Sequence, residues 1–443
     1  MRPISVLLLI LALLASCSQP AAPNVPPTPR PTPGPHAGLF VDASISEGPI
    51  NPLVYGSNTG PWQTVGLDQI PLSKAGGIRL IRWPGGNWGD ENDITALQLD
   101  EFMKLARAIG AEPLIHVRLY GGTPEKAAAL VRLANIEKKY GVRYWAVGNE
   151  PDLFVKKRGA KSYTAADYAS DFKRYKAAMK AVDPSIIMLG PEISQYTGPT
   201  SYPVDTTGVN WMEGFLKEAG ADVDIVTVHR YPFGAPPATA QTLLADPPTW
   251  TTMMDNLRAQ VQRVAGRDIP LAVTEANSDW TGRVDDEAGT NSHLNAIWWA
   301  DVLGRLIRAR STIVAQFCLG AISSQGIGMF GPISYGPRPL PLYQVYPLYQ
   351  QFGNQLVHSS SDDNSLPIVA SQRADGKLAI LVINHAATER RAPIVLDGTS
   401  VAGPAEVWSF AEDHPVQQHG TIDMSGPIAF EPRSATVLVV PVK

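Results

Sequence analysis

Short apolar runs alternate with amphipathic helical stretches from about residue 50 to about residue 350. The runs are Leu53–Asn58, Ile78–Trp83, Glu112–Leu119, Tyr144–Asn149, Ile186–Gly190, Asp224–His229, Pro270–Glu275 and Thr312–Leu319. Between them, stretches such as Leu99–Ile109, Thr123–Tyr140, Ala165–Val182 and Asn291–Ala309 repeat apolar positions at helical spacing. Eight strand–helix units over residues 38 to 350 predict an α/β fold, the (β/α)8 TIM barrel. Parallel strands covered on both faces should be near-continuous hydrophobic runs, and most of these are. A doubly wound sheet is the alternative. One that bound a dinucleotide would carry a Gly-rich phosphate turn after an early strand, and none is present.

Near residue 350 the period changes. Ile368–Gln372, Leu378–Asn384, Ile394–Leu396, Ala405–Ser409 and Thr436–Val442 are short alternating strands, separated by turn signals such as Ala374-Asp375-Gly376. They predict a C-terminal antiparallel β-sandwich over residues 351 to 443. Residues 38 to 47 precede the first barrel strand and are expected to add a strand to the sandwich.

The first residues read as an export signal, with Arg2 ahead of a short apolar run from Ile4 to Leu14. Leu14-Ala15-Ser16-Cys17 resembles a bacterial lipobox, which makes residues 1 to 17 the signal peptide and Cys17 the lipidation site. An ordinary cleavage site beside a chance cysteine is the alternative. Residues 20 to 36 hold eight prolines, and residues 18 to 37 read as an extended spacer. The expectation is an exported chain held by a lipid at the cell surface. Cys318 is the one other cysteine, so a lipidated Cys17 leaves no intramolecular disulfide.

The chain has 443 residues, 44% hydrophobic and 18% charged, enough to bury a sizeable core. Its net charge of -4 gives no basic footprint, which argues against nucleic acid as the main partner. Eight histidines are scattered without metal-ligand spacing, and no Gly-x-Ser-x-Gly elbow occurs. No metal and no cofactor are therefore expected.

Two barrel runs end in a glutamate. The fourth ends Gly148-Asn149-Glu150-Pro151-Asp152 and the seventh ends Thr274-Glu275-Ala276-Asn277. A charge at the end of a buried strand is costly unless it has a role or a partner. Barrel chemistry sits at the carboxyl ends of the strands. Two carboxyl groups converging there are what cleavage of a glycosidic bond requires: one protonates the leaving oxygen, the other attacks or activates water. Structural salt bridges at the rim are the competing reading.

The Asn149-Glu150-Pro151 motif, with a lone glutamate on strand seven, resembles the clan A glycoside hydrolases. Arg82-Trp83-Pro84-Gly85-Gly86-Asn87 resembles a segment of family 51 arabinofuranosidases, and Gly148 to Asp152 also resembles families 79 and 39. Trp83 and Pro151-Asp152 depart from the family 51 pattern. The resemblance implies a retaining reaction on a carbohydrate substrate, with Glu150 as acid/base and Glu275 as nucleophile. It further implies that Asn149 binds the sugar 2-hydroxyl, and it places His229 and Tyr231 near the nucleophile. Arg82, at the end of strand two, is expected to pair with Glu275.

Trp62, Trp88, Tyr120, Tyr196 and Trp280 lie just beyond strands one, two, three, five and seven. Singly each fits ordinary packing; as a set they suit a sugar cleft. Glu192, after strand five, is expected to bond a sugar hydroxyl or pair with a cation. A glycan-binding surface protein without activity is the other functional reading. It predicts loss of one carboxylate, yet both are present. Arabinofuranoside, xyloside, glucoside and glucuronide all fit, and a glucuronide calls for a cation that the sequence does not place.

Overall fold

Eight short parallel strands close into a barrel, in the order in which the chain makes them. The computed structural model describes residues 37–197, 202–283, 286–320, 328–331 and 338–443. Cys17, the export segment and the spacer as far as residue 36 lie outside the described residues. The chain opens with β1 (Leu39–Pro49) and then enters the barrel. The barrel strands are β2 (Gly56–Asn58), β3 (Leu80–Trp83), β4 (Glu112–Val117), β5 (Tyr144–Val147), β6 (Ile187–Ile193), β7 (Ile225–Arg230), β8 (Leu271–Ala276) and β9 (Ile313–Gln316). Each of the eight apolar runs supplies one of them.

Side chains alternate across the barrel wall. Ile81, Ile115, Trp145, Met188, Val226, Val273 and Val314 join the large core shared with the outer helices. Leu80, Leu114, Ala146, Leu189, Ile225, Ala272 and Ile313 form a second, separate apolar cluster on the alternate face of the strands. Two residues further along, that same face becomes polar, with Arg82, His116, Thr227 and Thr274, all fully buried. The lower barrel is thus a dry plug, and the carboxyl end is where charge gathers.

Helix boundaries follow local chemistry. Thr95 with Gln98, and Thr164 with Asp167, form capping boxes that start the helices Ala96–Ile109 and Ala165–Val182. The helix His293–Arg308 is buried on nearly all sides, which its sequence of Leu, Ile, Trp and Val at successive positions permits.

That burial has a cause in the C-terminal sheet. The remaining strands are β10 (Gln355–Ser361), β11 (Ile368–Gln372), β12 (Leu378–Asn384), β13 (Arg390–Ala392), β14 (Ile394–Asp397), β15 (Ala405–Ala411), β16 (His414–Ile422), β17 (Ile428–Phe430) and β18 (Ser434–Val440). One eight-stranded sheet runs β14-β1-β10-β11-β12-β18-β15-β16. Its Val369, Leu381, Val437 and Val439 belong to the same core as Trp298 and Leu306 of the helix. The guanidinium of Arg308 adds hydrogen bonds to Ser359 Oγ at 2.9 Å and to the Ile368 carbonyl at 2.6 Å. The alternate face carries Leu39, Ile368, Ile380 and Leu438, which cluster with Ile428 and Phe430 of the two-stranded β13–β17 ribbon. The two layers are therefore very unequal, a full sheet against a ribbon. β1 lies between β14, to which it is parallel, and β10, to which it is antiparallel.

Candidate active site

Arg82, at the polar end of β3, organises the barrel mouth. Its Nη1 donates to Glu275 Oε1 at 2.7 Å and to Asn58 Oδ1 at 3.0 Å. Its Nη2 donates to Asn149 Oδ1 at 2.8 Å and lies 2.7 Å from Glu192 Oε2. Burial opposes charge on this guanidinium, but Glu192 and Glu275 outweigh it and raise its pKa. A planar fork with fixed donors can hold two carboxylates and two amide oxygens at once, which a lysine could not.

Glu275 sits at the end of β8 with three fixed donors. Besides Arg82, the Gly86 N–H reaches Oε1 at 3.0 Å and the Tyr231 hydroxyl reaches Oε2 at 2.9 Å. Gly86 has φ +63°, the left-handed region in which a side chain is strained, and this aims its N–H at the carboxylate. Burial, then Glu275, push the Tyr231 hydroxyl far above its ordinary pKa, so it stays a donor.

Glu150 follows β5 in a left-handed conformation, φ 49°. Its backbone N–H donates to the Glu192 carbonyl at 2.9 Å, which fixes the turn. Pro151 opens the next short helical turn, Pro151–Leu153. The Glu150 carboxylate meets His229 Nδ1 at 3.2 Å, and that same nitrogen is 3.7 Å from Glu275. Donor atoms of Glu150, His229 and Glu275 all lie within 4.8 Å of one another.

His229 spans the two acids above and a third below. Its Nε2 faces Glu192 Oε2 at 3.1 Å. Burial lowers its pKa, but Glu275 and the hydrogen bonds to Glu150 and Glu192 raise it to about 9. Both ring nitrogens then carry protons and both face carboxylates. Glu192 is raised by burial and pulled down by Arg82 and then His229, to about 2. Glu150, His229 and Glu275 are also grouped closely enough to offer ligands to a metal ion.

Asn149 is set from below by Asp90, whose Oδ2 accepts the Asn149 N–H at 2.7 Å. Asp90 Oδ1 also accepts the N–H groups of Leu119 at 2.7 Å and Tyr120 at 3.3 Å. Full burial raises its pKa to about 6, against those hydrogen bonds.

A cavity of about 530 Å3 opens above this network. Glu150, Glu275, Asn149, Tyr231 and Trp280 line it. Other expected contacts are not brought there. Glu192 is fully buried behind Arg82 and His229, so it cannot meet a sugar hydroxyl and serves as their counter-charge. Tyr196 is buried, with its hydroxyl on Gln260 Oε1 at 2.9 Å. The Tyr120 hydroxyl donates to the Arg158 carbonyl and its ring packs edge-on against Phe154. Half-buried Trp88 opens the short helix Trp88–Glu91 and does not line the cavity. Trp62 stacks on Phe317, itself a wall of the cavity, at 5.4 Å. Arg82 and His229 act from beneath, without lining the cavity. Sequence reasoning missed Asp90, Gln195, Phe317, Lys156 and Lys157. Only the lysines had a signal, as cations directly after the Glu150 motif.

No known protein-family profile matches the chain. Over 239 residues it is 28% identical to alpha-L-arabinofuranosidase C of Emericella nidulans, 44% of each chain. Over 217 residues it is 24% identical to heparanase of Rattus norvegicus, 47% of this chain and 36% of the relative. The chain thus spans less than half the length of these curated relatives. In fold it is similar to a Thermotoga maritima alpha-L-arabinofuranosidase solved with arabinose, with a TM-score of 0.72 and 21% identity. That likeness covers 91% of this chain and all of the other.

Proposed function

We propose that this chain is a clan A glycoside hydrolase that cleaves O-glycosidic bonds with retention of anomeric configuration. The observation that carries the reading is the convergence of the Glu150 and Glu275 carboxylates on one cavity, with one oxygen of each lying within 4.8 Å of the other. Retaining enzymes hold their two carboxyl groups about 5–5.5 Å apart, whereas inverting ones leave about 6.5–9.5 Å for a water. The matches to an arabinofuranosidase and to heparanase support the same class.

In this reading Glu275 is the nucleophile. Arg82, the Gly86 N–H and Tyr231 hold its carboxylate in place by hydrogen bonds. It attacks the anomeric carbon while Glu150 gives its proton to the leaving oxygen. A water then enters, loses a proton to Glu150 and displaces Glu275 from the sugar. In the same reading Asn149, held by Arg82 and Asp90, bonds the sugar 2-hydroxyl. We propose export and lipid attachment at Cys17 on the sequence pattern alone. Membrane fractionation of Cys17→Ser checks this, with release into the soluble fraction expected.

The decisive experiment is Glu275→Ala assayed on a panel of aryl glycosides. Turnover should be abolished, and added azide should restore it by forming a glycosyl azide of inverted configuration relative to the substrate. Full activity in that variant overturns the assignment.

A further inference from the structure

The cavity holds two cations that the chemistry at Glu150 and Glu275 does not use. Lys156 and Lys157 end the short helix Phe154–Lys157 that follows Glu150, are exposed, and line the cavity. Five lysines elsewhere, Lys126, Lys138, Lys176, Lys180 and Lys377, each lie within 3.1 Å of a carboxylate, whereas Lys74, Lys139, Lys161 and Lys217 do not. Among the described residues, neither Lys156 nor Lys157 has such a partner. The next cation, Arg158, is taken by Glu91 at 3.4 Å and Asn87 at 2.9 Å.

Lys157 is held in a particular place. Its ammonium lies 5.5 Å from the ring centroid of Trp280. Trp280 is 56% exposed although it is a large apolar side chain. Its indole is fixed across Gly234, where an added Cβ would lie 1.9 Å from Nε1, and its backbone N–H bonds to the Phe233 carbonyl. An exposed aromatic face suits the C–H face of a sugar ring. The Lys157 ammonium, over the Trp280 ring, suits a negative group carried by a sugar bound in the cavity. The cation–π contact keeps the ammonium near the indole before ligand arrives.

The rest of the site works against anions. The chain is net negative, and Glu150 and Glu275 lie in the same cavity. A neutral sugar needs no cation to offset this, whereas an acidic one does. We propose that the substrate carries an anionic sugar unit, a uronate being the simplest, bound by Lys156 and Lys157 beside Trp280. This rests on the reading of the cavity as a glycosidase site and names the class of glycan it takes.

The test compares two oligosaccharides that differ only in a carboxylate, a uronate-containing one and its carboxyl-reduced counterpart. The quantity read is the ratio of their kcat/KM values. The wild type should prefer the acidic member, and the preference should shrink with added salt. In the Lys156→Gln/Lys157→Gln variant the ratio should fall about tenfold, the scale of one charge-assisted contact. Lys157→Arg should keep most of it. A ratio unchanged in the double variant, or a wild type that prefers the reduced sugar, overturns the proposal. Lysines that merely soften the field of the two glutamates would move both substrates together. If the wild type cleaves no glycoside at all, the hydrolase reading fails. Calorimetric binding of the same pair then decides the inference by itself, on the same ratio.

Discussion

Nη2 of Arg82 lies 2.7 Å from Oε2 of Glu192, with both side chains wholly inside the barrel. An ion pair removed from water is weak evidence for stability, because desolvation offsets much of the attraction. Losing one partner is a different matter. Glu192→Ala leaves Arg82 and His229 as neighbouring buried cations. It should cost about 3–5 kcal/mol, read as a fall in the urea midpoint. Replacement at no cost would mean that the pair is not a supporting element of the site.

Glu150 and Glu275 should fail differently. Glu150→Ala removes proton delivery to the leaving oxygen, so kcat should drop about 10²–10⁴-fold on sugars with poor leaving groups. Aryl glycosides with acidic phenols need little protonation and should be spared. Equal losses across a leaving-group series would remove Glu150 from the acid role.

Asp90→Asn should disturb the Asn149 turn. An amide presents one acceptor oxygen where the carboxylate offers two, so the N–H groups of Asn149 and Leu119 cannot both be satisfied. The expected destabilisation is about 1–3 kcal/mol, from an unpaired buried donor. The pH dependence runs opposite to that of a paired surface acid. Asp90 rises from 3.8 to about 6 on folding, so its contribution is full below pH 3.8 and lost as pH rises through about 6. The variant should lack that slope in denaturation curves taken between pH 4 and pH 7.

His229 gives an alkaline limit. Its pKa rises from 6.5 to about 9 on folding, so its stabilising charge is fully present below pH 6.5 and disappears as pH rises through about 9. Stability of the wild type should decline over that interval, and His229→Asn should flatten the decline. Glu192, lowered from 4.5 to about 2, contributes above pH 4.5 and fails only as pH falls through about 2. The network should therefore loosen at high pH well before it loosens in acid.

The barrel strands were readable because a strand covered on both faces has to be apolar along its length. Glu150 and Glu275 stood out for the same reason, each being a charge where an apolar run stopped. Glu192 misled because a strand-end glutamate looks alike whether it faces solvent or the barrel axis. Its direction depends on a left-handed backbone, φ 58°, and on cations from β3 and β7. Those are long-range facts with no local mark. Asp90 was hidden in the same way, since its partners are backbone groups from β4 and β5 loops. The aromatic set was only partly informative. Trp280 reached the cavity, but Tyr196 and Tyr120 found buried partners for their hydroxyls, and a ring suits a core as well as a sugar.

The placement of β1 also orders events during synthesis. This strand leaves the ribosome first among the described elements, yet its neighbours in the sheet are β10 and β14. Until the whole barrel has been made, its backbone donors and acceptors have no native partner, and its Leu39 and Val41 have no native cover. An unpaired apolar strand is the kind of segment that attracts strands of other chains. The nascent protein must carry this exposed edge until its last quarter emerges. A truncation within the final sheet would therefore release the beginning of the chain as well as its end.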